Sequence, residues 1–503
     1  MNAASAPCFS ALRRCCLWGG LALLFQLLWA SNTSPLNPIF HSDIAIYATI
    51  GEAINKGLRL YTDVYDHKGP LQFLIYAAAA ATGQLKLALF CFGSLLLALS
   101  MELVFRIARL FCGKRASFGC VLIFLACLTS VLAGGGNPEE WAMPLTLLPL
   151  LLVLRKTHGA GTLRLSVCEG GLIGCCAGLC FLLKANTAAP AAGAVAALAC
   201  LQLSRGQWRD FGKLACSLFL GTALVCAPFC LYFAAQGRFG DFIGATLLHN
   251  LQYAQSSAAE GLNAGHLFEV SRQALIISLL LIPSLMLLLR RHLISGATAF
   301  CCAGTALLGT LNLYLGYAYS HYFMMYLPVV AVAGPLLWLS YTEARQKKAH
   351  RRSFIFCVLL AAANYLPHGA AELRFTQTLN FCPQKHPAAQ AMYDVRELCL
   401  QLKEAVPAGS SLWVAHFYPA VHLYAERTPY FKYIFDHQNA AGAFGQKMKT
   451  EEAQMLLCTP PKYIALPAAE RAEEPLRTLL RQSYSLVRRL HVGEASLELY
   501  RQH

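Results

Sequence analysis

The feature that most constrains this chain is a succession of apolar runs, each near the roughly 20 residues a helix needs to cross a bilayer core. The first lies at 18–30. The others recur at 85–111, 117–133, 141–154, 167–183, 187–203, 214–235, 270–289, 293–316, 322–341 and 353–367, about eleven in all. The runs at 141–154 and 353–367 are short and must borrow flanking residues. Arg13 and Arg14 ahead of the first run resemble a signal peptide, but no small-x-small site follows at once, so it reads as an uncleaved span extended through 11–16. In lipid a segment must satisfy its own backbone hydrogen bonds, so such runs predict helices. Composition agrees. Of 503 residues, 56% are hydrophobic and 13% charged, about half the charged share of a soluble domain.

The net charge of +15 could suggest nucleic acid, but the positive residues form neither a face nor a tail. They sit in short loops between apolar runs. With the amino terminus in the cytoplasm, 19 Lys and Arg fall at cytoplasmic ends and 7 at opposite ends before residue 368. That bias predicts a cytoplasmic amino terminus and an extracytoplasmic carboxyl terminus, and argues against a nucleic-acid partner. The 21 cysteines lie mostly in apolar runs, where a thiol acts as a small hydrophobe. No zinc-like spacing of His and Cys occurs. Cys382, Cys399 and Cys458 leave room for one disulfide in an outer carboxyl-terminal region.

Two domains are expected. Residues 1–368 form the transmembrane domain, with a first outer loop at 31–84. Residues 369–503 form a small extracytoplasmic α/β domain, because charge becomes denser and the apolar runs shorten there. In it, 411–416, 463–466 and 496–500 read as strands and 387–405 as a helix. In the first outer loop, 71–82 is too short to span alone and reads as an interfacial or re-entrant helix started by Pro70.

The densest chemistry lies in His41–Pro70. The chain has seven Asp, and Asp43, Asp63 and Asp66 are among them in this stretch, with His67 and Lys68. Ionisable groups beside a membrane are costly unless they face water or a site. A carboxylate at Asp43 could take a proton from a hydroxyl, although Ser42 and Asp43 also suit a helix N-cap. Lys68 is a compact cation suited to a phosphate, and Asp66 or His67 could orient it or bind a sugar. A solvated turn with a local Asp–Lys pair is the plainer alternative.

The second outer loop reads Gly134-Gly-Gly-Asn-Pro-Glu139-Glu140-Trp141. Its glycines permit a tight path, and no GK[ST] follows to make a phosphate loop. Neighbouring side chains on a helix diverge, so one of Glu139 and Glu140 is expected to face a site; both could instead simply favour the positive end of the next helix. Lys184, at an outer end, is expected to snorkel. Tyr314, Tyr317, Tyr319 and Tyr322 fit an interfacial aromatic belt, with His321 as the odd member that could meet a phosphate or sugar. The 236–269 stretch, holding His249, Asn250, Tyr253 and Gln255, is expected to be a long binding loop or lid.

Together these pieces resemble a polytopic glycosyltransferase of the GT-C type, related to the protein mannosyltransferase and aminoarabinose transferase group. The resemblance rests on Y-x-D-x-x-D-H-K-G-P at 61–70, where Gly69 stands for the first Pro of a K-P-P in related chains, on N-x-E-E at 137–140, on S-H-Y-F at 320–323 and, more loosely, on R-T-P-Y-F-K-Y at 427–433. It implies a GT-C fold and transfer of a sugar from a polyprenyl-phosphate donor to an envelope acceptor (lipid, glycan or protein) at the outer face of a bacterial inner membrane. It implies catalytic roles for Asp43 and for Glu139 or Glu140, Glu139 being preferred. Lys68 and His321 would bind the donor phosphate, and Asp66, His67, Glu140 and Tyr322 the substrates. Ile44, not a second acid, follows Asp43, so no metal and no other cofactor is implied.

These residues predict an inverting transfer in which Asp43, Lys68 and Glu139 converge in a wet pocket beyond the outer leaflet. The rival readings are a secondary transporter, for which neither repeats nor paired helix breaks are visible, a non-catalytic component of envelope polysaccharide assembly, and a polymerase or ligase using lipid-diphosphate glycans.

Overall fold

A computed structural model describes residues 5–159, 162–252, 277, 280–314, 319–344, 348–415, 417–434, 443–467, 472 and 474–503. The chain is mainly helical and divides into two compact units. The first comprises 1–33, 90–235 and 257–374, and the second 34–89, 236–256 and 375–503. This cuts the chain differently from a boundary at 368/369: most of the stretch expected as a first outer loop, from residue 34, clusters with the carboxyl-terminal region and not with the helices that flank it.

The first unit is built from α1 (Ser5–Trp29), most of α4 (Leu85–Phe111; α2 and α3 belong to the other unit), α5 (Lys114–Thr129), α6 (Pro138–Leu154), α7 (Val167–Lys184), α8 (Ala189–Ser204) and α9 (Trp208–Ala235), followed by the Gly296–Leu313 and Leu327–Ala344 helices and most of Lys348–Phe381. Pro138 opens α6 where its missing N–H costs nothing. Ser166 and Glu169 close a reciprocal capping box at the start of α7. The shared core runs through Phe25, Met101, Phe124, Leu147, Leu198 and Cys302, all buried. Among the described residues five helical stretches are long and apolar enough to cross a membrane: Leu85–Phe111, Val167–Ser204, Trp208–Ala235, Gly296–Leu313 and His321–Glu343. The expected span at 270–289 lies partly outside the described residues; its described part belongs to the apolar helix Leu280–Arg290. The short span expected at 353–367 continues through Pro367 into the 34-residue helix Lys348–Phe381.

The second unit holds α2 (Asp43–Asn55), α3 (Pro70–Ala81) and a four-stranded sheet, β1 (Leu412–Val414), β2 (Tyr463–Leu466), β3 (Tyr484–Val492) and β4 (Ala495–Gln502), in the order β1-β2-β4-β3. β1 and β2 are parallel, and the other pairs antiparallel. The Pro387–Ala405 helix packs on β3 and β4. β3 was not foreseen. A bulge between Leu486 and Arg488 breaks its alternation, and five consecutive exposed positions remove the period-2 signal. The 236–269 stretch is not a bare loop where it is described: Phe239–Ile243 is α-helical and continues through a π-turn at Gly244–Leu248 into 249–252. Cys382, Cys399 and Cys458 are free thiols.

α2 and α3 pack closely because Gly51 has no side chain; a Cβ there would stand 2.7 Å from the Tyr76 carbonyl carbon. That contact fixes Asp43, at the start of α2, relative to Lys68, two residues before α3.

Candidate functional site

The residues singled out in the sequence fall into two charged clusters, one in each unit. In the second unit Ser42 caps α2 without a side-chain bond, at φ 55 and ψ −148. A non-glycine residue rarely takes such a conformation, and it delivers Asp43 into the first turn of α2. Asp43 is not the N-cap itself. Its Oδ2 accepts a 3.1 Å hydrogen bond from the Tyr47 hydroxyl, one helical turn on.

Lys68 reaches the same oxygen at 3.6 Å and, also at 3.6 Å, Oδ1 of Asp66. Asp66 Oδ1 accepts the Lys68 backbone N–H at 3.0 Å, the short-range turn that Asp favours. The three groups differ in access. The side chains of Asp66 and Lys68 are 0% and 8% exposed and that of Asp43 is 36% exposed. Burial pushes the Asp66 carboxyl above the usual carboxylate range, with the Lys68 ammonium opposing it. Asp66 Oδ2 is buried and has no hydrogen-bond partner among the described residues. The Lys68 ammonium also lies 5.5 Å above the Tyr47 ring.

Around this core the Tyr61 hydroxyl donates to the Lys68 carbonyl at 2.8 Å. The His67 ring stacks on His249, with centroids 4.7 Å apart and planes 9° from parallel. His249 Nδ1 meets the Tyr65 hydroxyl at 3.1 Å, and the Asn250 amide donates to the His67 carbonyl at 2.8 Å. Burial, helped by the Lys68 charge, lowers His249 to about 4, so its imidazole is neutral at pH 7. The R-T-P-Y-F-K-Y segment joins the group. The Tyr65 N–H donates to the Lys432 carbonyl at 2.9 Å, and the Tyr65 and Tyr433 rings meet edge-on at 5.2 Å. Tyr253 and Gln255 lie outside the described residues.

In the first unit Glu139 and Glu140 point to different partners, as adjacent helical residues must. Glu139 Oε1 pairs with Lys184 at 2.5 Å, and the Lys184 ammonium sits 3.7 Å above the Tyr322 ring. Lys184 is therefore an ion-pair partner and not a snorkelling chain, because a fully buried carboxylate offers it a nearer partner than bulk water. His321 packs edge-on against Tyr322 at 4.6 Å and stacks on Tyr319 at 5.8 Å. Glu140, expected to face substrate, accepts from the Gln26 amide and, at 2.7 Å, from the Gly136 N–H. It braces the glycine turn, where Ala133, Gly134, Gly135 and Gly136 all have positive φ. That run of left-handed residues explains the three glycines. Tyr317 lies outside the described residues, and among those described no group of three or more His, Cys, Asp or Glu is placed to hold a metal.

Among solved structures, the ArnT of Cupriavidus metallidurans bound to undecaprenyl phosphate shares 14% sequence identity with this chain. The match covers 96% of this chain and 97% of that one at a TM-score of 0.62. Its apo state matches at 0.60 with 14% identity and 98% of each chain covered. The oligosaccharyltransferase of Archaeoglobus fulgidus in its apo form matches at 0.52, with 13% identity over 90% of this chain and 69% of that one. No curated protein matches the chain in sequence. The chain thus shares the fold of these proteins, and among the described residues its apolar helices are long enough to cross a membrane. The family described as "Putative competence-induced protein Ccs4 N-terminal domain" matches residues 45–369, more than half the chain, and the chain belongs to that family.

Proposed function

We propose that this protein is a membrane glycosyltransferase that moves a sugar from a polyprenyl-phosphate donor to an envelope acceptor, with inversion, at the extracytoplasmic face of a bacterial inner membrane. The observation that carries the reading is Lys68 held at 3.6 Å from both Asp43 and Asp66, with Asp43 the accessible member. The GT-C fold, shared with an enzyme whose structure contains undecaprenyl phosphate, supports it.

In this scheme Asp43 accepts the proton of the acceptor hydroxyl as its oxygen bonds to the anomeric carbon. The bond from that carbon to the phosphate oxygen breaks, and polyprenyl phosphate departs with the electron pair. Lys68 neutralises the charge that grows on the leaving phosphate. Phosphate is a good leaving group, so no step is routed through a metal. Asp66 holds Lys68 in place, and the stacked rings of His67 and His249 lie beside it. His321 and Tyr322 are assigned to substrate binding within the first unit, the buried Glu139–Lys184 pair to holding that site in shape, and Glu140 to positioning the glycine turn.

The test is transfer from a purified polyprenyl-phosphate sugar to envelope extract by detergent-solubilised protein, with products read by mass spectrometry. Asp43→Asn should slow transfer by about 10²–10⁴-fold and leave the melting midpoint unchanged. Lys68→Met should weaken donor binding. Full transfer by Asp43→Asn would remove Asp43 from the mechanism, and donor-independent solute uptake in proteoliposomes would replace the reading with transport.

A further inference from the structure

A cavity of about 320 Å³ lies in the second unit, at the small end of pockets that hold small molecules (about 300–1,000 Å³). One wall is a single face of α2, since Thr49, Glu52, Ala53 and Lys56 follow helical spacing. A second wall is Arg396 and Leu400 of the Pro387–Ala405 helix, one turn apart. The third is the turn from His422 to Pro429. Glu426 adopts φ 52, and the next residue, Arg427, lines the cavity and donates to the Val406 carbonyl.

Lys56, Arg396 and Arg427 line this space against two carboxylates, Glu52 and Glu426. Glu426 is already engaged by Lys403 at 2.6 Å, so the cavity favours an anion. His422, 6% exposed, lines it as well, and its Nδ1 has no hydrogen-bond partner among the described residues. A buried polar atom without a partner is costly and calls for one. Phe40 and Tyr424 add ring surface, and Thr49 and Thr428 add hydroxyls. The cavity is therefore not merely a charged groove: its lining combines cations, ring faces and hydroxyls, the mixture that suits a sugar bearing an acid group.

We infer that this cavity binds a small anionic sugar, through a phosphate or carboxylate held by Lys56, Arg396 and the His422 imidazole. The inference uses none of the residues assigned to transfer and stands apart from that assignment. It is tested by calorimetric titration of the full-length protein in detergent with glucose 6-phosphate, glucuronate, inorganic phosphate and neutral glucose. Saturable binding of glucose 6-phosphate or glucuronate, with glucose at least tenfold weaker, is expected. Inorganic phosphate binding as tightly as the sugar phosphate would reduce the site to an anion hole and overturn the sugar assignment. Lys56→Gln, at an exposed position, and Arg396→Gln, at a half-buried one, should each weaken binding about tenfold, and His422→Phe more. Asp43→Asn should bind like the parent protein. Absence of binding, or binding indifferent to both Lys56→Gln and Arg396→Gln, would overturn the inference.

Discussion

Each unit of this protein buries a lysine beside a carboxylate, and the two pairs are built for different ends. Lys184 pairs tightly with Glu139 at 2.5 Å, against the Tyr322 ring, with both side chains nearly sealed. Lys68 has two looser partners at 3.6 Å, one of them the part-exposed Asp43. A closed pair resists exchange of its partner, whereas a lysine shared between two carboxylates can turn toward an arriving phosphate without leaving a charge bare. The contrast separates a pair suited to holding structure from one suited to chemistry.

The largest expected effect breaks the open site. Asp43→Asn removes the proposed base and should lower the transfer rate by about 10²–10⁴-fold, measured as product formed per unit time at saturating donor, with the melting midpoint preserved. If the rate survives and the fold does not, Asp43 belongs with Glu139 as a structural group and the contrast disappears.

The closed pair should fail the other way. Lys184→Met leaves Glu139 buried without its partner, and breaking a buried pair costs about 3–5 kcal/mol. A large drop in the thermal midpoint in detergent is expected, recovered in good part by the double variant Glu139→Gln, Lys184→Met. A single variant as stable as the parent would show that Glu139 is not held charged by Lys184.

The sequence made these two sites legible to different depths. The apolar runs placed most helices closely; 85–111 and the Tyr463–Leu466 strand are recovered to the residue, because long periodicity and β-branched or aromatic runs are strong local signals. The Asp43–Lys68 cluster was visible because its members lie within one short stretch. The Glu139–Lys184 pair was not, because its partners stand 45 residues apart and nothing local distinguishes a paired lysine at a span end from a snorkelling one. For the same reason His249 read only as part of a loop: its stacking on His67 bridges residues far apart in sequence. The role of Glu140 as brace of the Gly134–Gly136 turn was likewise hidden, since it depends on which oxygen meets which N–H.

A smaller effect sharpens the description of the open site through pH. Burial raises the Asp66 carboxyl above its ordinary value of about 4. The folded state then holds that proton more firmly than the unfolded chain. The stability this contributes is complete below the ordinary pKa and is lost as pH rises through the elevated folded value. Asp66→Asn cannot ionise and escapes that loss, so the difference in melting midpoint between variant and parent should move in favour of the variant from pH 4 to pH 8. A difference that stays flat across this range would mean that Asp66 titrates alike in both states.

The smallest effect concerns how each unit obtains its left-handed backbone. The first unit spends three glycines, Gly134–Gly136, on positive φ beside Glu140, whereas the second places Ser42 at φ 55 directly before Asp43. A serine in that conformation carries strain of about 1–3 kcal/mol, while glycine adopts it freely at the expense of about 0.5–1 kcal/mol more unfolded-chain entropy. Ser42→Gly should therefore stabilise the protein by about 1 kcal/mol. It should also slow transfer by less than tenfold, because the start of α2 then holds Asp43 less firmly against Lys68. Gly135→Ala in the first unit should do the reverse, since its new Cβ would stand 2.9 Å from Ala30 in a left-handed residue. Paired thermal and kinetic measurements on both variants decide the point. A less stable Ser42→Gly protein would mean that the serine conformation is not strained, and that the two turns differ only in sequence.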